Sequence, residues 1–392
     1  MTSATVTKPA RIASIDIYRA LTMFFMIFVN DLWSITGVPH WLEHAAADED
    51  MLGFSDIVFP SFLFILGMSI PLAIEIRKRK GDSNITILKH ILIRSVALLA
   101  MGMFTVNTEY GEATIGKPLF TIIMLLGFFL IWNLYPKTED KKKQNFYSIL
   151  KVIGVIILVV LAFIYRDPKG DIFQPRWWGI LGLIGWTYLL CAIIYLYLNK
   201  RRIYLFIALV LFILLCVAGS NHWLGSFDGI IPGNGCFHAF TMCGMLISLL
   251  FNQSKSDLSI NKKMMIATSA GIVFFIAAFV SHYFWIISKI QATPTWLFIC
   301  TSISILFYVF MYWIADMKRK ASWFDIIKPA GTATLTCYLI PYLLYSIFIL
   351  TSFTLPEAIT ASPVGLVKCV VFAFVTIGIT ALLGKVGVKL KI

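Results

Sequence analysis

The sequence predicts an all-α fold, a polytopic helix bundle embedded in a membrane. Hydrophobic residues make up 59% of the 392 residues and charged residues only 14%, whereas a soluble domain carries about 25% charged residues. Continuous apolar stretches of about 20 residues, the length of a membrane-spanning helix, recur from end to end. They lack the alternating polarity of barrel strands, and the gaps between them are too short for a soluble domain.

About twelve such spans follow one another in a single domain, residues 1–392. The predicted spans are Ala13–Thr36, Phe54–Ile76, Leu88–Asn107, Pro118–Tyr135, Phe146–Tyr165, Trp178–Leu198, Ile203–Gly219, Cys236–Asn252, Met264–Ile286, Thr295–Ala315, Gly331–Thr351 and Pro363–Val388.

The net charge of +13 is concentrated in alternate connections between the spans. By the positive-inside rule these connections are cytoplasmic, so both termini are expected in the cytoplasm and the protein in a cell inner membrane. The charge is therefore explained by topology, and we expect a lipid bilayer rather than nucleic acid as partner. The basic residues of these connections are Lys8, Arg11, Arg77–Lys80, Lys137, Lys141–Lys143, Lys200–Arg202, Lys255, Lys262–Lys263, Lys318–Lys320, Lys328, Lys385, Lys389 and Lys391.

Asp56 indicates a functional site, because it opens the second span. A carboxylate inside a span costs about 2.5 kcal/mol or more on insertion scales and usually persists because it is used. The preceding outer loop contains His44, and the first span ends at Asn30, so the three side chains can converge. Pro60 breaks a backbone hydrogen bond of the same helix, and we expect the resulting kink to open a cavity.

The outer loop also contains His40 and the acids Glu43, Asp48, Glu49 and Asp50, without a lysine or arginine. Its alanines favour a short surface helix, on which His40 and His44 would share one face. This HxxxH spacing is a weak metal signal, since it lacks the internal glutamate of HExxH, and we expect no metal. The seven cysteines lie in or beside spans without a CxxC pair and are interpreted as small buried hydrophobes.

Motifs of other enzyme classes are absent. The sequence contains no GxxxxGK[ST], GxGxxG or GxSxG, so nucleotide hydrolysis, dinucleotide binding and serine hydrolysis have no support.

Residues 14–30 read SIDIYRALTMFFMIFVN, and residues 54–70 read FSDIVFPSFLFILGMSI. With the histidine between them, these segments resemble the heparan-alpha-glucosaminide N-acetyltransferase family and its bacterial relatives. The resemblance is dense over residues 14–71 and thinner afterwards, where it includes Lys289 and Trp296. The chain departs from the family pattern at AAADEDMLGF (residues 45–54) and at KPLFTIIMLLGFFL (residues 117–130).

The resemblance implies a transmembrane acetyltransferase that takes acetyl-CoA from the cytosol and acetylates a glucosamine-type amino sugar, or a glycan bearing one, on the outer face. It implies catalytic roles for His44, Asn30 and Asp56, and we expect substrate contacts from Asp31, Lys289 and Trp296. No residue is assigned to CoA, although cytoplasmic lysines and arginines suit its phosphates. The sequence leaves a homodimer open.

Two other functions stay open from the residues alone. A transporter or permease also suits twelve spans and a proline-kinked helix that carries a carboxylate. An O-acyltransferase acting on a glycan or lipid hydroxyl would use the same histidine. Dependence on CoA separates either transferase from a carrier.

Overall fold

The computed structural model describes residues 12–199, 201–252 and 258–392. These residues form fourteen α-helices and no strand, so the predicted all-α bundle is confirmed. The basic residues Lys8, Arg11, Lys200 and Lys255 lie outside the described residues. The helices are α1 (Ala13–Asp31), α2 (Ser55–Arg79), α3 (Asn84–Glu109), α4 (Lys117–Trp132), α5 (Lys141–Ile164), α6 (Ile180–Leu198), α7 (Arg202–Ser220), α8 (Cys236–Phe251), α9 (Ile260–Ser281), α10 (Pro294–Tyr312), α11 (Lys328–Thr332), α12 (Thr334–Leu350), α13 (Glu357–Thr360) and α14 (Val364–Lys385).

Ten helical segments of the described chain are long and apolar enough to cross a membrane. The segments Ala321–Thr332 and Thr334–Leu350 meet at an angle of 75° and, taken together, are long and apolar enough for an eleventh candidate span. The remaining predicted span is the shorter apolar helix α4, Lys117–Trp132. Each of the twelve predicted spans thus corresponds to a helix.

The helix α2 and the segment Pro232–Phe251, which contains α8, form the centre of the bundle. Their most apolar 18-residue stretches are 72% and 83% buried, against 17% for α5 and 22% for α9. The helices α2 and α8 cross at Gly67 and Gly244. A Cβ atom on Gly67 would collide with the carbonyl oxygen of Thr241, and one on Gly244 with that of Phe64. Small residues allow helix backbones to approach closely in a membrane, so this contact fixes α2 within the core.

Polar contacts hold the N-terminal end of α1. The backbone N–H groups of Ala13 and Ser14 donate to the Asp316 carboxylate at 2.9 Å, which satisfies donors that a helix N-terminus leaves free. Arg19 pairs with Asp16 at 3.2 Å, as their spacing of three residues predicts. Arg19 also donates to Ser69 of α2 at 2.7 Å, which joins the first two spans.

The connection between α1 and α2, residues 32–54, is here called the His44 loop. Alternation of the spans places this loop at one end of the bundle and the strongly basic connections at the other. We call these the His44 end and the basic end.

Cysteine labelling tests this two-ended arrangement. The seven native cysteines are free and buried, so the unmodified chain is a low-reactivity background. We expect Asp48→Cys, in the His44 loop, to react with a membrane-impermeant maleimide only from outside the cell. We expect Lys142→Cys, at the start of α5, to react only after the inner face is opened. Reaction of both variants from one face would contradict the twelve-span topology.

Candidate active site

The centre of the site is a hydrogen bond between His44 and Asp56. The His44 Nδ1 atom lies 2.6 Å from Asp56 Oδ1, and the Ala45 backbone N–H donates to Asp56 Oδ2 at 3.0 Å. An ionised carboxylate can only accept hydrogen bonds, so Nδ1 carries the shared proton, and in the neutral imidazole Nε2 has the lone pair. Asp56 is only 1% exposed, whereas the His44 side chain is 48% exposed. A buried anion therefore orients an accessible base.

The backbone of the His44 loop folds over the start of α2. The Phe54 N–H donates to the Trp41 carbonyl at 2.8 Å, and the Ser55 hydroxyl donates to the Leu42 carbonyl at 2.5 Å. Gly53 lies against the Glu43 carbonyl, with which a Cβ atom would collide. Asp56 is the second residue of α2, where the helix dipole favours a negative charge.

The predicted surface helix that carries both histidines is wrong. A 3₁₀ turn covers only His40–Leu42, and the chain then extends so that His44 turns toward Asp56. His40 instead bonds to Glu49, an interaction that raises the pKa of His40. The two histidines therefore have different partners, and the described residues contain no cluster of three or more histidine, cysteine or acidic side chains suited to a metal ion.

Lys289 completes the polar cluster from the connection between α9 and α10. Its Nζ atom lies 3.0 Å from His44 Nδ1, 3.5 Å from His44 Nε2 and 3.7 Å from Asp56 Oδ1. Burial lowers the pKa of Lys289, and the charge of Asp56 opposes that change. The arrangement brings a cation next to both nitrogens of the imidazole.

Contacts between the two loops position Lys289. Asp50 accepts a hydrogen bond from the Ile287 N–H at 2.8 Å and lies 2.7 Å from His282 Nε2; these bonds, the first above all, lower the pKa of Asp50. The Ala47 carbonyl accepts from the Ser288 hydroxyl at 2.9 Å. Gln291, on the other side of Lys289, also donates to the Ala47 carbonyl, at 2.7 Å, so the loop before α10 is attached to the His44 loop both before and after Lys289.

Pro60 and Trp296 act together on the backbone of Asp56. Proline has no N–H group, so Pro60 leaves the carbonyl of Asp56, four residues earlier, without its helical donor. The Trp296 indole N–H donates to that carbonyl at 3.1 Å. Trp296 is 0% exposed, and we propose for it this positioning role in place of the substrate contact expected from the sequence.

Asn30 and Asp31 lie at the end of α1. The Asn30 side chain is half-buried and makes no hydrogen bond within the described residues. Asp31 is 0% exposed and accepts from the Tyr345 hydroxyl at 2.6 Å and from Lys368 Nζ at 2.8 Å. Both Asp31 oxygens therefore bond to protein groups, so its expected contact with substrate stays a prediction.

Lys368 and Tyr345 were not predicted from the sequence as partners of Asp31. One signal was present, because Lys368 is a charged residue inside the last predicted span. Such a residue usually pairs with another polar group. Its partner was not identifiable because α14 and α1 are at opposite ends of the chain.

A cavity of about 400 Å³ lies inside the bundle, between α1, α2, α3, α6, α11 and α12. Its walls near the middle of the bundle are apolar and include Met26 and Phe62. Toward the basic end it is lined by Arg19, Arg94 and Lys391. The Arg94 guanidinium lies over the Tyr188 ring, 4.6 Å from its centroid, and its Nε atom is buried without a hydrogen-bond partner, so this nitrogen can still donate to an anion.

Comparison with known proteins identifies the family. The sequence profile described as "Domain of unknown function (DUF5009)" matches residues 11–233, which is more than half of the chain. The protein belongs to the DUF5009 family. The matched region contains α1 to α7 and the His44 loop, and therefore includes both His44 and Asp56.

Two mammalian proteins, each named heparan-alpha-glucosaminide N-acetyltransferase, are similar to this DUF5009 protein. The human protein is 35% identical over 103 residues, which cover 26% of this chain and 15% of the human protein. The mouse protein is 34% identical over 164 residues, 41% of this chain and 20% of the mouse protein. The chain therefore matches about a fifth or less of these relatives. The family resemblance predicted from the sequence is confirmed over this partial length.

A double-mutant cycle tests the pairing of Pro60 with Trp296. Trp296→Phe keeps most of the ring but removes the indole N–H, so the Asp56 carbonyl keeps only the weak thiol donor Cys300, whose Sγ lies 3.9 Å away. We expect a loss of about 1–3 kcal/mol in the free energy of unfolding, the cost of an unsatisfied buried polar group. Pro60→Ala supplies a helical N–H to that carbonyl, so Trp296→Phe should cost less in the Pro60→Ala background. Strictly additive losses would show that the cost of Trp296→Phe does not come from the carbonyl that Pro60 leaves without a helical donor.

Proposed function

We propose that the protein is an acetyl-CoA-dependent N-acetyltransferase of a cell inner membrane. It would take the acetyl group at the cytoplasmic, basic end and acetylate an amino sugar at the outer, His44 end. The observation that supports this most strongly is the accessible His44 imidazole, whose Nδ1 bonds at 2.6 Å to a buried Asp56. The names of the two relatives support the same chemistry.

His44 serves as the general base in this proposal. Its Nε2 atom accepts a proton from the acceptor amine, whose nitrogen then forms the new bond to the thioester carbonyl carbon. Asp56 stabilises the resulting imidazolium through Nδ1–H, as a buried carboxylate does in catalytic triads. The imidazolium returns the proton to the CoA sulfur as the carbon–sulfur bond breaks. A transient acetyl group on Nε2 is the alternative route through the same residue.

Lys289 is suited to stabilise the oxyanion of the tetrahedral intermediate. Its ammonium lies within 3.5 Å of both His44 nitrogens, and a substrate carbonyl attacked beside Nε2 would be close to it. Donors placed where charge develops contribute about 3 kcal/mol in well-studied enzymes. Asn30 is the second proposed donor, since its amide has no other hydrogen bond within the described residues.

The cavity supports the approach of CoA from the basic end. Arg19, Arg94 and Lys391 offer positive charge to its phosphates, and the apolar walls suit the pantetheine arm. Ser69 and Asp56, both on α2, are separated by about 20 Å at 1.5 Å per residue. A pantetheine arm extended along α2 would bring the thioester from the basic end of the cavity toward His44.

The two histidines of the His44 loop provide a matched test of the base. With purified protein, radiolabelled acetyl-CoA and glucosamine, we expect His44→Ala to lose turnover by about 10²–10⁴-fold, the range for a general base. His40→Ala should retain turnover, because His40 bonds to Glu49 rather than to Asp56. Asp56→Asn should also lose most activity, since an amide cannot stabilise an imidazolium as a carboxylate does. Normal turnover in His44→Ala would refute the proposed role, and uptake of sugar without CoA would indicate a carrier.

A second variant pair tests the cavity. Arg94→Gln should raise the KM for acetyl-CoA by about tenfold, the loss of one charge-assisted hydrogen bond, and leave the KM for the amine unchanged. Arg79→Gln removes a cation at the exposed end of α2 and is the control for a general change in charge. Equal effects of the two substitutions would argue against a specific CoA site in the cavity.

A further inference from the structure

The charge of the His44 loop identifies the acceptor class, an inference that rests on the proposed function. We infer that the acceptor is a cationic oligosaccharide of glucosamine units with free amines, and that acidic glycans are disfavoured. The inference is carried by the acidic residues that lie in the same loop as His44.

The His44 loop concentrates negative charge around His44. It contains Glu43, Asp48, Glu49 and Asp50 and no lysine or arginine. Glu43 and Asp48 are exposed, and Asp48 has no hydrogen bond or ion pair within the described residues. These carboxylates precede or follow His44 by one to six residues.

Histidines, rather than permanent cations, contact the acids of this loop. Glu49 and Glu43 lie near His40, at 2.5 and 3.8 Å, and Asp50 bonds to His282. Lys289, the one lysine or arginine of the facing connection 282–293, is already close to Asp56. Histidines apart, the His44 loop therefore contributes four acidic side chains and the facing connection one basic side chain, which leaves an excess of negative charge.

The connection between α5 and α6 provides the contrast at the same end of the bundle. It contains Arg166, Lys169 and Arg176 together with Asp167 and Asp171, and Arg176 lies 3.9 Å from Asp167. The excess of negative charge is thus a property of the His44 loop rather than of the whole face.

A surface that carries charge of one sign raises the local concentration of oppositely charged ligands and repels ligands of the same charge. Sulfate and carboxylate groups of an acidic glycan would face four carboxylates. The ammonium groups of a glucosamine oligomer would be attracted, and several units would contact the His44 loop at once. In the reaction the ammonium at the reacting unit loses one proton to solvent and one through His44 Nε2 to the CoA sulfur, and forms the amide.

The test compares three acceptors with the whole protein in detergent or lipid: glucosamine, its β-linked trimer, and a heparan oligosaccharide with a free terminal amine. We expect the kcat/KM of the trimer to exceed that of the heparan oligosaccharide at least tenfold at low ionic strength. The ratio should shrink as salt is added, because salt screens charges separated by more than about 10 Å. A heparan oligosaccharide that matches or exceeds the trimer would overturn the inference.

A pair of variants tests whether the preference for the trimer depends on the acids of the His44 loop. The double variant Glu43→Gln and Asp48→Asn should reduce the kcat/KM of the trimer about fourfold, the effect of two charges about 10 Å away in water. Its KM for acetyl-CoA should not change. Glu139→Gln, an exposed residue of the connection between α4 and α5, removes a charge at the basic end and should leave both values unchanged. An unchanged trimer kcat/KM in the double variant would overturn the inference.

Failure of the proposed function gives a different result. If no amine is acetylated, calorimetric binding of the trimer and of the heparan oligosaccharide to the protein without acetyl-CoA still measures the preference. Tighter binding of the trimer, lost in the double variant, supports the inference even then. Equal or tighter binding of the heparan oligosaccharide overturns it.

Discussion

Asp56, buried at the first turn of α2, joins His44, Lys289 and Trp296 in the proposed site. Its two oxygens fix His44 and the backbone of Ala45, and its charge attracts Lys289 from another loop. Its own carbonyl, released by Pro60, accepts the indole N–H of Trp296. A buried charge is costly unless it is paired and hydrogen-bonded, and here each available group of Asp56 has a partner. Loss of the carboxylate would therefore affect the base, the loop and the cation together.

The position of Asp56 depends in turn on the packing of the bundle. The glycine crossing of α2 and α8 holds α2 in the core, and the cavity extends from that core to the basic end. A reactive group at one end and cations at the other suit two substrates that approach from opposite faces. The buried contacts of Asp31 with Tyr345 and Lys368 hold the end of α1 against α12 and α14. We interpret Asp31, the second buried charge, as a residue that positions the end of α1 beside the site.

Much of the fold was predictable, because span length and composition are local properties of the sequence. All twelve predicted spans correspond to helices, and the cost of Asp56 in a span identified it without structural information. The conformation of residues 40–44 was not predictable, since the bond from His44 to Asp56 overrides the helix propensity of the neighbouring alanines. The bond from Trp296 to the carbonyl freed by Pro60, and the pairing of Lys368 with Asp31, join residues far apart in sequence. No periodicity or motif reveals such contacts.

Transfer across a sealed bilayer is the most direct test of the central proposal that the acetyl group passes from the basic end to His44. In proteoliposomes of one orientation, acetyl-CoA would be supplied only on the side of the basic connections, and glucosamine only on the side of the His44 loop. The proposal predicts N-acetylglucosamine on the His44 side and free CoA on the other side, with neither in His44→Ala vesicles. Product formation only when both substrates share one compartment would contradict it.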